Sequence, residues 1–200
     1  PLSFLINDED NTTPYGNRSL DIIVAPWPWV KLGTGKFRDD YLCSMFNGGN
    51  PEIEVTIHEH KSKKGIYMIE EMYGWPFLTE FFGGSQEEIE SQVKLTYTPV
   101  NITIDCSDPT KVVMPRQFTG IIDGDPAYGN YEIAMSTGGE GTLVNGVITF
   151  PQEALAFVCS AGSLKANKSG LFRILLPGAE LTDYTLSAVY DGMKVSADGE

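Results

Sequence analysis

The chain has 200 residues, 42% of them hydrophobic, with 21 Gly and 12 Pro. This suits one large β-rich domain or two small ones with a sizeable core, and it excludes disorder as the default. The net charge of −13, from 14 basic and 27 acidic residues, sets the surface against phosphate backbones and anionic lipid, so nucleic acid is not an expected partner. No run approaches the roughly 18 apolar residues that span a bilayer. The chain starts at Pro1 with no signal peptide and is read as a mature or trimmed form.

In chain order, Leu2–Ile6 and Leu20–Ala25 are the first strand candidates. Pro26-Trp27-Pro28-Trp29 stops the second, because a proline has no N–H to give a ladder. It reads as an edge or a connection that tucks one Trp inward. Gly33-Thr34-Gly35-Lys36 is not a phosphate loop: Val30 stands where the first Gly is required and Phe37 where Ser or Thr is required. Phe37–Phe46 is a strand candidate carrying Asp39 and Asp40, and residues 47–51 (N-G-G-N-P) form a turn.

A hairpin follows. Ile53, Val55 and Ile57 alternate with Glu52, Glu54, Thr56, His58 and His60, the pattern of a strand with one buried face. Lys61–Gly65 supplies a loop, and the return arm Ile66–Ile69 is apolar on both faces. An aromatic exit, Tyr73-Gly74-Trp75-Pro76-Phe77 and then Phe81-Phe82, reads as an irregular loop whose rings plug the sandwich, with a platform for stacking on sugar faces as the functional alternative. Ser85–Gln92 is the one helix-like piece, with a capping box between Ser85 and Glu88. Val93–Tyr97 returns to strand, and Pro99 marks a domain boundary.

Beyond it, Ile102, Ile104 and Cys106 alternate with Asn101, Thr103 and Asp105. Further strands are expected at 112–114, 118–122, 131–136, 154–159, 171–176 and 184–190. Asn145-Gly146, between Leu143-Val144 and Val147–Phe150, is a type I′ hairpin signal. About eight short strands at regular spacing predict an all-β, antiparallel β-sandwich architecture. Two such domains in tandem are expected, at residues 1–98 and 99–200.

Several constellations have residue types that carry chemistry. His58 and His60 share the polar face of one strand about 7 Å apart, close enough to share a metal with Glu54, Glu70 or Glu71. Two solvated histidines is the plainer expectation. Asp123, Asp125 and Asn130 make an oxygen-rich loop without the twelfth-position Glu of an EF-hand, so an Asp-stabilised turn is expected there. Cys43, Cys106 and Cys159 lack metal-knuckle spacing and read as buried free thiols, with one disulfide left open. No G-x-S-x-G occurs, and 27 acids cannot single out a glycosidase pair. No cofactor is expected.

The runs G-T-G-K-F-R-D-D-Y-L (33–42), E-V-T-I-H-E-H (54–60), G-I-Y-M-I-E-E-M-Y-G (65–74), I-D-C-S-D-P (104–109) and L-V-N-G-V-I-T-F-P (143–151) resemble a group of Bacteroidetes cell-envelope lipoproteins of unassigned function. That group favours Arg-x-x-Asn-Pro-Tyr where this chain has Ile69-Glu70-Glu71-Met72-Tyr73. The resemblance implies export to the outer membrane, cell surface or periplasm. It also implies a lipid anchor on an N-terminal Cys absent from this sequence, in bacteria that process glycans.

The expected function is therefore a non-catalytic exported module. Its partner is a glycan or an envelope protein. Tyr73, Trp75 and Phe77 are the expected stacking rings, with Glu71 and its neighbours Glu70 and Glu80 accepting hydroxyl hydrogen bonds. A polysaccharide hydrolase or its accessory domain, and a structural envelope component, are the alternatives.

Overall fold

The computed structural model describes residues 26–40, 48–49, 51–165 and 171–181. The expected strands at 2–6, 20–25 and 184–190, the end of 37–46, and Cys43 lie outside the described residues.

The fold is an all-β sandwich of two antiparallel sheets. The strands are β1 (Trp29–Asp39), β2 (Glu52–His60), β3 (Ile66–Glu70), β4 (Leu95–Tyr97), β5 (Asn101–Asp105), β6 (Gln117–Asp123), β7 (Asn130–Met135), β8 (Thr142–Val144), β9 (Val147–Thr149), β10 (Leu155–Cys159), β11 (Gly162–Lys165) and β12 (Phe172–Leu175). One sheet runs β5-β3-β2-β1-β12-β9-β8, and the other runs β11-β10-β7-β6-β4.

Both sheets draw strands from either side of Pro99: β1 pairs with β12, β3 with β5, and β4 with β6. The core is likewise one cluster, with Phe37 and Ile57 beside Ile133 and Phe172. The described strands therefore do not separate into tandem sandwiches at the expected boundary between residues 98 and 99. Pairing across so many residues leaves no local trace in the sequence.

The central hairpin has the expected register. Ile53, Val55 and Ile57 are buried, and Glu52 and Glu54 are exposed. β1 begins earlier than expected, at Trp29, and passes through the G-T-G run with a register shift between Lys31 and Gly33. The β8–β9 turn is also as expected, with Asn145 at φ 51° and Gly146 at φ 78°. A Cβ on Gly146 would sit 2.8 Å from that of Ala179. Gly146→Val should therefore cost well over about 1 kcal/mol, read as a lowered midpoint in urea unfolding; an unchanged midpoint would contradict the turn assignment.

The aromatic exit is a helix, not a loop. The helix α1 (Trp75–Phe82) starts after extended Gly74 with Pro76 in its first turn, and left-handed Gly83 ends it by donating its N–H to the Thr79 carbonyl. Phe77, Leu78 and Phe81 lie on its buried face. Tyr73, just before it, meets Phe37 of one sheet and Phe157 of the other edge-on, at 5.2 and 5.5 Å between ring centres. The segment thus fills the space between the sheets. The second helix, α2 (Gln86–Glu88), carries the expected capping box and runs into a π-helical turn at Ile89–Val93.

Candidate functional site

The expected stacking platform is not at the surface. Tyr73 and Phe77 are fully buried. The Tyr73 hydroxyl donates to Asp39 Oδ2 at 2.9 Å, and burial first, then the Asp39 charge, holds its pKa well above the usual phenol value. Trp75 is half-buried, edge-on to Tyr97 with ring centres 6.3 Å apart. Glu71 is exposed, but it sits in a tight turn at φ 43° whose carbonyl accepts the Gly74 N–H. Alternating apolar residues with aromatics at α1 spacing is a core pattern, and it won over the surface one.

The metal candidates also resolve into other roles. His58 is buried, and its Nε2 lies 2.6 Å from Glu70 Oε1. His60 turns away to accept the Ser62 and Lys63 N–H groups at Nδ1, each at 3.2 Å. Asp123 accepts from the Asp125 N–H and the Tyr131 hydroxyl, and Asp125 accepts from the Ala127 N–H, which makes the loop a side-chain-stabilised turn. Among the described residues no three His, Cys, Asp or Glu side chains converge as a metal set.

Asp39 and Asp40, the last residue of β1 and the one after it, have different partners. Asp39 faces Tyr73, while Asp40 takes a two-point contact from Arg38 at 2.5 and 3.0 Å. Cys106 is a free buried thiol, pushed up to about 12 by burial and then by Asp105; Cys159 is free and half-buried. An apolar cavity of about 20 Å³ behind α1, lined by residues such as Leu78, Phe81 and Phe157, is about the size of one water and too small for a sugar or cofactor.

The exposed aromatic surface lies at the other end of the hairpin. Trp27 is 58% exposed, and Val30 and Leu32 are also exposed. Trp29, paired with His60, packs edge-on against that ring with centres 5.1 Å apart. The Pro28 carbonyl accepts the Lys61 N–H at 2.8 Å, which pins the Pro-flanked segment to the β2–β3 loop. Three side-chain acceptor contacts fix that loop: His60 Nδ1 with Ser62 and Lys63, and Glu59 Oε1 with the Gly65 N–H at 3.1 Å. Glu59 also binds Lys64 at 2.8 Å, and the Lys64 and Gly65 hydrogen bonds hold its pKa below the usual carboxylate value.

Because Nδ1 of His60 accepts, the neutral ring carries its proton on Nε2. That N–H has no partner among the described residues and remains a donor for a ligand. The sequence signal for this site was the Pro-Trp-Pro-Trp run itself, since a ring between two prolines cannot be paired into a central strand.

Comparisons with known protein families, curated proteins and solved structures find no match.

Proposed function

We propose that this chain is a non-catalytic, exported β-sandwich module that binds carbohydrate on the surface formed by Trp27, Trp29 and His60. The observation that carries the proposal is the exposed Trp27 ring on a segment held rigid by two prolines and the Pro28–Lys61 hydrogen bond. A sugar offers apolar C–H faces, and a preordered ring stacks on them with little further ordering cost. The His60 Nε2–H supplies a donor for a ring hydroxyl. Such a shallow surface suits weak binding, on the order of millimolar, about −4 kcal/mol.

The non-catalytic reading is supported by where the acids go. Asp39, Asp40 and Glu70 are each engaged by another side chain, Tyr73, Arg38 and His58 in turn. What supports the exported reading is the resemblance of residues 33–42, 54–60 and 143–151 to envelope lipoproteins.

A glycan screen on the purified protein, followed by titration of any hit, tests this. Trp27→Ala should weaken binding by about three- to ten-fold, in line with the worth of one aromatic stacking contact, with no change in melting temperature. Undiminished binding by Trp27→Ala would remove the proposal, as would a screen without hits.

A further inference from the structure

The Trp27 surface carries a local charge opposite to that of the whole chain. The molecule has a net charge of −13. Yet the loop beside Trp27 reads Lys61-Ser62-Lys63-Lys64, all four exposed, and exposed Lys31 stands on β1 opposite His58. Among the described residues, Lys64 pairs with Glu59, whereas Lys31, Lys61 and Lys63 make no ion pair. Elsewhere on the same sheet face the cations are paired: Lys36 and Arg173 with Glu52, and Arg38 with Asp40.

We infer that the ligand of this surface is an acidic sugar, whose ring stacks on Trp27 while its carboxylate is met by Lys61 and Lys63. The inference rests on the carbohydrate-binding reading and specifies its substrate class. The Lys61 N–H is bonded to the Pro28 carbonyl, so the loop and the Trp27 segment are one unit. The Lys63 N–H is held by His60, whose ring packs on Trp29. A carboxylate beside a pyranose ring therefore meets cations on a backbone already ordered. The acidity of the whole chain does not oppose this, because charges more than about 8 Å away are screened at physiological salt while contact charges are not. A singly charged sugar unit suits the site better than a dense polyanion, which the rest of the surface repels.

The test is titration of the protein with trigalacturonate and with its fully methyl-esterified form, which keeps the rings and removes the charges. Tighter binding of the acid by at least about ten-fold at physiological salt, diminishing as salt is raised further, is the expected result. The double variant Lys61→Glu/Lys63→Glu should lose that preference with its melting temperature unchanged, and Lys61→Arg/Lys63→Arg should keep it. Equal binding of the acid and the ester would overturn this inference while leaving the carbohydrate reading intact. Binding of neither sugar, together with binding to vesicles containing anionic lipid, would overturn both and make the surface a lipid contact.

Discussion

Tyr73→Ala is expected to lower the stability of this domain by about 3–5 kcal/mol, the usual cost of removing a large buried aromatic ring. Tyr73 is fully buried and is shared by both sheets, through Phe37 and Phe157, and by α1, through Phe77 at 5.4 Å. Its hydroxyl also donates to buried Asp39. Tyr73→Phe separates these contributions: it keeps the ring and should cost about 1–3 kcal/mol, because a buried carboxylate loses a donor. The raised Tyr73 pKa gives the hydrogen bond a pH window. In the unfolded chain the phenol ionises near pH 10, while in the fold burial and Asp39 keep it protonated. The stabilisation is thus complete below about pH 10 and is lost as the pH rises above it. Urea unfolding of the three proteins at neutral and alkaline pH reads all of this. A Tyr73→Ala protein within about 1 kcal/mol of the original would show that the segment does not bridge the sheets.

Gly120→Ala should be comparably severe, at about 3 kcal/mol or more. Gly120 has φ +90° and lies in the register shift of β6 between Phe118 and Ile122. An added Cβ would come 2.2 Å from the Tyr97 ring and 2.5 Å from the Thr98 carbonyl oxygen. Neither can retreat easily. The Thr98 N–H is bonded to the Gly120 carbonyl at 2.8 Å, and fully buried Thr119 is tied to the Tyr131 carbonyl at 2.8 Å. Tyr97 is itself partly buried against Trp75, with its pKa pushed up to about 12 mainly by that burial. Thermal unfolding would show the loss. A melting temperature that does not move would mean the bulge has another conformation.

Features that depend on near neighbours were legible in the sequence. The alternation of Ile53, Val55 and Ile57 set a strand and its buried face. Asn145-Gly146 set a turn, and Ser85 with Glu88 set a capping box. The helix at Trp75–Phe82 was missed because glycine, proline and aromatics argue against helix one residue at a time. Its end signals were nevertheless present, with Pro76 in the first turn and Gly83 just past the end. The sharing of both sheets by the two halves was not legible, since β1 meets β12 across more than a hundred intervening residues. Nor does local sequence tell an exposed Trp from a packed one. Trp27 and Trp75 both sit beside prolines, yet only the second lies against the core, because the helix behind it turns that way.

That distinction makes one measurement decisive. The chain has 3 Trp residues, so a ¹⁵N–¹H spectrum contains that many indole N–H signals, assigned by single substitutions. Titration with a carbohydrate hit should move the Trp27 signal most, then that of Trp29 beside His60, and leave Trp75 in place. Movement of Trp75 with Trp27 fixed would contradict the assignment of the Trp27 end as the binding surface.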